Sequence, residues 1–361
     1  MSDAARRTMR AAVTTYHGGP EAVELRDVPV PETGPGEVLV RVAAAGCNNT
    51  DLWTREGSYA ASADDADARG GWLGPLDFPR VQGGDVAGRV VALGSGVDGE
   101  LDGARVLVDP LLYDWPVPGD PDSALPADVL GSERDGGFAE HVVVPAACVH
   151  RVDDSPLTDV ELGALPIAYG TALGMLERGG VTAERGAGRT VLVTGASGGV
   201  GLAAVQLATA RGARVVAVSS GDKVAPVAEA GADVVVDRRR GHLLDDLRDA
   251  APDGYDTVVD VVAGATVGPG LRMLRPGARW VVAGALDGWR VELDVRTLYL
   301  ANAALVGSTM HTPTIFGRLV DLARSGAVRP VVTATYPLDR LAEAHTALER
   351  REHVGKIVVV P

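Results

Sequence analysis

The segment Arg189-Thr-Val-Leu-Val-Thr-Gly-Ala-Ser-Gly-Gly-Val-Gly201 constrains the fold more than any other stretch of this chain. Its apolar run Val191–Thr194 reads as a strand that passes directly into a glycine-rich turn, and the turn opens a helix from near Gly199 to near Ala210. The first turn of such a helix carries unpaired N–H groups and about half a positive charge, which suits a pyrophosphate. Gly198 lets the backbone approach phosphates, and Gly201 lets helix and strand pack closely. Ala196 replaces the first glycine of the usual fingerprint. Ala196, Ser197, Gly198, Gly199, Val200 and Gly201 are therefore a candidate dinucleotide cradle. A bare glycine pattern is weak; its place between this strand and this helix, with another strand following, makes it specific. The competing reading is a tight strand–helix turn that holds nothing.

The surroundings agree with a cradle. Strands Val215–Val218, Val234–Val236, Thr257–Asp260 and Trp280–Gly284 alternate with helical patterns, which predicts a parallel sheet covered on both faces. The residues before Val152 read instead as short strands between Gly and Pro turns: Val23–Leu25, Glu37–Ala44, Val86–Leu93, Arg105–Val108 and Ala139–Val144. Two stretches without periodicity, Ala60–Leu76 and Leu111–Asp135, read as loops, with Trp72, Tyr113 and Trp115 as their aromatics. Helix Phe316–Ser325, strand Val331–Tyr336, helix Leu338–Arg350 and strand Ile357–Val360 are expected to return to the first domain. The fold class is α/β, a Rossmann doubly wound sheet plus a β-rich domain. The expected domains are 1–154 with 312–361, and 155–311.

Cofactor choice is read from the end of the second strand. A carboxylate there would bind both ribose hydroxyls of NAD. The chain has Ser219-Ser220-Gly221-Asp222-Lys223 instead, and Lys223 is one of only two lysines beside thirty-two arginines. Ser219 and Ser220 accommodate a 2′-phosphate and Lys223 neutralises it, which favours NADPH. Asp222 is either a displaced ribose ligand or a residue that caps or starts the next helix. Arg238 or Arg239 adds charge at the adenine end, or is simply solvated.

Composition removes other classes. A net charge of −14 repels phosphate backbones, so nucleic acid is not an expected partner. No apolar run reaches the length of a membrane span. Met1–Arg10 lacks a signal-peptide core, so a cytoplasmic place is expected. Cys47 and Cys148 are too few for a disulfide framework or a four-cysteine zinc site, and read as small reduced hydrophobes.

Along nearly its whole length the chain resembles the medium-chain dehydrogenase/reductase superfamily, most closely its zinc-independent quinone oxidoreductase-like branch. The likeness rests on Gly36-Glu-Val-Leu-Val-Arg-Val42, Ala45-Gly-Cys-Asn-Asn-Thr-Asp51, Gly83-Gly-Asp-Val-Ala-Gly88, Gly137-Phe-Ala-Glu140, Ala164-Leu-Pro-Ile-Ala-Tyr-Gly-Thr-Ala172, the glycine turn and Gly355-Lys-Ile-Val358. The resemblance implies a GroES-like catalytic domain and a homodimer, with strand Ala303–Val306 as a candidate contact. The metal-binding positions of the zinc-dependent branch fall on Asn48, Gly84 and Ile167. Two of these side chains offer zinc no ligand, and no metal is expected.

Without a Lewis acid, hydride transfer from NADPH to a conjugated C=C bond or a quinone fits best, with neutral donors facing the carbonyl oxygen. Asn48, beside the nicotinamide by resemblance, is the first candidate donor; a local backbone cap is the other reading. Tyr59 matches a pocket tyrosine that bonds the carbonyl or supplies a proton, or merely packs. Trp53 walls the substrate pocket or belongs to the core. Thr171 and Gly284 are expected on the nicotinamide side. Lys356 and Arg351 are placed to reach the cofactor phosphates, a surface ion pair being the alternative for Arg351. His311, His345 and His353 show no metal spacing. The alternatives to the reductase are a zinc-dependent alcohol or aldehyde dehydrogenase and a cofactor-binding protein with little turnover.

Overall fold

The structure, a computed structural model, describes residues 7–59, 70–114 and 119–361. It divides into two compact units, Met1–Ile167 with Thr312–Pro361, and Ala168–His311. Ser155–Ile167, expected in the nucleotide domain, stays with the first unit. Arg105 binds the Ser155 and Leu157 carbonyls and the Asp159 carboxylate, and Ile167 N–H donates to Asp85.

The first unit is a β-sheet assembly. Its largest sheet has seven strands: Val149–Arg151, Arg105–Val108, Val86–Leu93, Glu37–Gly46, Lys356–Val360 and Val332–Pro337 in order, with His141–Pro145 also paired to Glu37–Gly46. Alternating burial along Glu37–Gly46 puts Val38, Val40, Val42 and Ala44 inward, the pattern of a half-buried strand. A smaller sheet joins Val23–Pro29, Thr8–Thr14 and Arg80–Val81. The expected loop 111–135 contains a two-residue strand pair, Leu111–Leu112 with Asp128–Val129, and Tyr113 beside it is buried. Trp115 and residues 60–69 lie outside the described residues. The closing strand Lys356–Val360 pairs in parallel with Val332–Pro337 and antiparallel with Glu37–Gly46, so helix Leu341–Arg350 is the crossover of a strand–helix–strand unit.

The second unit carries a six-stranded parallel sheet in the order Val234–Asp237, Arg214–Ser219, Thr190–Val193, Tyr255–Asp260, Leu274–Val282, Ala304–Gly307. This is the doubly wound order, with the first strand central and the topological switch at its carboxyl end. Thr190–Val193 is buried throughout, as a strand covered on both faces must be. None of the described helices is long and apolar enough to cross a membrane.

Candidate functional site

In the first unit, Asn48 ends the strand Glu37–Gly46 region and opens helix Asn49–Glu56, where the Asp51 carboxylate accepts its N–H at 2.7 Å. Asn48 is buried, and its amide is committed inward. Nδ2 donates to the Gly46 carbonyl at 3.2 Å and to Asp85 Oδ2 at 2.9 Å, while Oδ1 accepts from Lys356 Nζ at 2.5 Å. The same ammonium donates to the Cys47 carbonyl and to Asp85 Oδ2, both at 2.9 Å. Its three donors are thereby filled. Asp85 is fully buried, and its second oxygen accepts from Ile167 N–H at 2.7 Å. Only glycine fits at 46, because a Cβ there would come within 2.5 Å of Asp85 Oδ2 and 2.6 Å of the Gly163 carbonyl.

Two expectations are corrected here. Lys356 is 4% exposed and neutralises Asp85, so it has no donor left for a cofactor phosphate. Asn48 does not present a free N–H, because both amide hydrogens already serve Gly46 and Asp85. Asn48 organises the site rather than donating from it.

Around this cluster, burial pushes the Asp51 carboxyl up to about 7; Asp85 adds to the rise, while the Asn48 N–H and the charges of Lys356 and Arg55 oppose it. The folded state thus holds a proton that the unfolded state releases near pH 4. The stability Asp51 contributes is present at acid pH and is lost as pH rises from about 4 to about 7. Asp51→Asn keeps an acceptor for Asn48 N–H and removes that titration. Denaturant unfolding from pH 4 to 8 should therefore show the variant gaining on the wild type as pH rises; parallel curves would contradict the assignment. Burial likewise holds the Cys47 thiol up, as expected for an unreactive buried cysteine.

Tyr59 donates from its hydroxyl to Thr50 Oγ1 at 2.9 Å, and burial pushes its phenol up to about 12, so it stays protonated at neutral pH. Its ring meets Trp53 edge-on with centroids 5.7 Å apart and stacks near Trp72 at 6.2 Å. Trp53 also packs against the core of the unit, the other reading of it. Behind them lies a cluster the sequence did not reveal. Arg55, wholly buried on helix Asn49–Glu56, bonds His345 Nδ1 at 2.9 Å, Glu349 at 2.7 Å and the Gly18 carbonyl at 2.9 Å. Burial, helped by Arg55, lowers His345 to about 3 and keeps it neutral. The triad ties this helix to Leu341–Arg350.

In the second unit, helix Gly199–Ala210 has Gly198 as its N-cap, and no side chain caps its first N–H groups. A Cβ on Gly201 would run into Ala196 Cα at 2.7 Å, whereas one on Gly198 meets only the Gly195 carbonyl at 3.6 Å. Gly201 therefore serves packing, and Gly198 leaves the turn open to a ligand. At the next strand end, Ser219 Oγ is buried without a hydrogen-bond partner, an arrangement that a bound polar group would relieve. Ser220 is also buried, and Lys223 is partly buried in the single turn Gly221–Lys223 that leads into helix Val224–Glu229. Asp222, exposed in that turn, caps neither element. Arg238 is exposed, and Arg239 is the arginine that reaches back, its guanidinium lying where a Gly221 Cβ would be. These residues suit a dinucleotide. Thr171 is buried on helix Pro166–Arg178, and Gly284 lies beyond strand Leu274–Val282, its Cα facing the Val261 carbonyl.

Sequence reasoning also passed over Asp260. Buried at the carboxyl end of its strand, it accepts from Thr194 Oγ1, Trp280 Nε1 and the N–H groups of Val262 and Ala263. It fixes the turn in which Ala263 takes a positive φ of 54°. The signal was there: a lone carboxylate ending an apolar strand.

Residues 34–154 match the family model described as the alcohol dehydrogenase GroES-like domain, and residues 199–325 match the zinc-binding dehydrogenase model. A solved structure of a candidate alcohol dehydrogenase from Sinorhizobium meliloti is 43% identical, with 99% of this chain and 98% of that one covered and a TM-score of 0.91. The chain belongs to the medium-chain dehydrogenase/reductase superfamily. Other members of the superfamily match over similar lengths. Rat quinone oxidoreductase is 28% identical over 98% of each chain, and the mouse synaptic vesicle membrane protein VAT-1 homolog is 29% identical over 98% of this chain and 84% of its own. A structure of the 2-octenoyl-CoA carboxylase reductase CinF with NADP and 2-octenoyl-CoA is 28% identical, covers 98% of this chain and 87% of that one, and has a TM-score of 0.84. As a medium-chain dehydrogenase/reductase, the protein is an oxidoreductase of α/β fold.

The superfamily includes zinc-dependent members, and the positions matching their ligands can be tested directly. Asn48 is turned into Asp85 and Lys356, Gly84 has no side chain, and a Cβ on Gly84 would meet Ile167 Cδ1 at 2.7 Å. An aliphatic side chain thus fills the space beside residue 84. Among the described residues, no group of three His, Cys, Asp or Glu could hold a metal ion. The donor set does not fit zinc.

Proposed function

We propose that this protein is a zinc-independent reductase that transfers hydride from NADPH to a conjugated C=C bond, in an enone or enoyl substrate, or to a quinone. The observation that carries this reading is the Asn48–Asp85–Lys356 network with Ile167 packed beside Gly84, which replaces metal ligands by groups bonded to one another. Ser219 Oγ, Arg239 and Lys223 support a cofactor with a 2′-phosphate. The Gly198-capped helix and the turn before it would hold the pyrophosphate, and NADPH would supply the hydride.

The chain's own part is to bind and orient the acceptor and to place a proton donor. Trp53, Tyr59 and Trp72 form an aromatic wall suited to a flat conjugated substrate. With the Asn48 amide spent internally, the Tyr59–Thr50 hydroxyl pair is the remaining candidate donor to a developing enolate oxygen, through the Thr50 hydroxyl hydrogen or through Tyr59 once it turns away from Thr50 Oγ1. Burial keeps the phenol protonated. Loss of one neutral hydrogen bond in Tyr59→Phe should lower kcat/KM for an enone by about tenfold.

Oxidation of NADPH against quinones, enones and enoyl thioesters, with NADH in parallel and EDTA present, tests the reading. Turnover that survives EDTA and prefers NADPH supports it. The second reading, a zinc alcohol dehydrogenase, is favoured by the names of the family model and of the Sinorhizobium meliloti structure. One equivalent of zinc in purified protein and EDTA-sensitive alcohol oxidation would establish it instead. Cofactor binding without turnover across the panel would point to a binding protein.

A homodimer is part of the proposal. Among the described residues edge strand Ala304–Gly307 is paired on one side only; Leu305 on it, and Val295, Tyr299 and Leu300 on the helix that precedes it, are exposed. An unpaired edge flanked by apolar side chains is suited to pairing with a second copy. Leu300→Asp with Leu305→Asp should shift light-scattering mass from dimer to monomer, whereas an unchanged mass would remove this surface from the assembly.

A further inference from the structure

The second unit has a pocket of about 500 Å³ at the amino ends of its parallel strands, lined by Arg185, Arg189, Asp256, Arg275 and the glycine-containing turns around Gly188 and Gly277. The glycine turn of the cofactor cradle follows the carboxyl end of Thr190–Val193, so a strand of four residues, about 13 Å long, separates the two places.

The charge in this pocket is unusual for the chain. With a net charge of −14, carboxylates are plentiful, yet Arg185 and Arg189 form no ion pair among the described residues. Arg189 Nε donates to the Arg185 main-chain carbonyl at 3.0 Å, which holds the Arg189 side chain at the pocket that both residues line. Asp256, the pocket's one carboxylate, is already engaged: it accepts from Thr190 N–H at 2.8 Å and pairs with Arg275 at 2.7 Å. Arg275 is fixed further by the Asp253 carbonyl. The lining therefore carries three guanidinium groups against one carboxylate. The mouth is open at Gly188 and Gly277, where an added Cβ would meet nothing within 4 Å. No aromatic or large apolar side chain lines the space, so a ligand with a base or an acyl chain gains nothing there.

We propose that this pocket is a second anion site, separate from the cofactor cradle, that binds a small polyphosphate. Guanidinium groups match phosphate oxygens in paired hydrogen bonds, and a multivalent anion can engage more than one of the three arginines that line the space. The room exceeds a single phosphate and suits a chain of two or three.

Isothermal titration with pyrophosphate at fixed ionic strength tests this, on wild type and on Arg185→Ala/Arg189→Ala, each with and without saturating dinucleotide. Arg275 is left intact because it pairs with Asp256. The expected result is one equivalent bound in the presence of dinucleotide, at least tenfold weaker in the double variant, with dinucleotide affinity unchanged. Binding that disappears once dinucleotide is present would place the anion in the glycine cradle and overturn the proposal. Equal binding by the variant, or heats matched by chloride at the same ionic strength, would also overturn it. Citrate bound as tightly as pyrophosphate would remove the preference for phosphate.

Discussion

Lys356→Met is expected to destabilise the first unit by about 3–5 kcal/mol, the range for removing one partner of a buried ion pair. The substitution keeps the length of the side chain, so the loss is electrostatic rather than a cavity. It leaves the fully buried Asp85 carboxylate with only the Ile167 N–H and the Asn48 amide, and it strips Asn48 Oδ1 and the Cys47 carbonyl of their donor. For a domain of this size the melting temperature should fall by roughly 6–20 °C. Adding Asp85→Asn should recover more than half of the loss. The second charge is then gone, and Asn48 is free to rotate its amide so that its oxygen faces the new one. A double-mutant cycle in urea measures the coupling. A loss below about 1 kcal/mol in the single variant would mean that water reaches the pair and that the network does not hold the strand ends together.

The second large effect concerns cofactor discrimination, and it rests on the proposed NADPH specificity. Arg239→Ala should weaken NADPH by about 10- to 150-fold, the equivalent of about 1.5–3 kcal/mol for a hydrogen bond to a charged group, and should leave NADH nearly unchanged. Ser219→Asp should go further and reverse the preference. A carboxylate at the end of strand Arg214–Ser219 repels a 2′-phosphate and accepts from both ribose hydroxyls. Nucleotide fluorescence titrations of each variant give the ratio of dissociation constants. Equal losses for both nucleotides in Arg239→Ala would show that the guanidinium over Gly221 serves the fold and not the phosphate.

The strand–turn–helix around Gly198 was legible because its chemistry is local: period, glycine positions and the following strand all lie within thirty residues. Val86–Leu93 and Arg105–Val108 were legible to the residue for the same reason. Strand Thr8–Thr14 was not, since its start lies in the polar stretch Met1–Arg10 and its partners Val23–Pro29 and Arg80–Val81 are not adjacent to it in sequence. The pair Leu111–Leu112 and Asp128–Val129 is too short to show a period. The role of Lys356 was hidden by distance, because its partners stand 308 and 271 positions away. Read as a phosphate ligand, Lys356 is instead carried inside by the pairing of its strand with Glu37–Gly46. Asn48 was singled out as the residue at a position matching a metal ligand, and the structure places it in the buried network with Asp85 and Lys356. The direction of its amide depended on Asp85 and Lys356, which no local pattern links to it. Arg239 over Gly221 required the neighbouring strand ends to be adjacent, which is a property of the sheet.

The closing strand Lys356–Val360 lies between Glu37–Gly46 and Val332–Pro337, and this has a consequence for biosynthesis. The first unit cannot be completed before the nucleotide domain, because its sheet lacks an interior member and Asp85 its counter-ion until Lys356–Val360 has been made. The nucleotide domain, uninterrupted from Ala168 to His311, is available as a whole well before then. A chain cut before Lys356 would keep the cradle and leave its partner sheet unclosed, the kind of product that quality control removes.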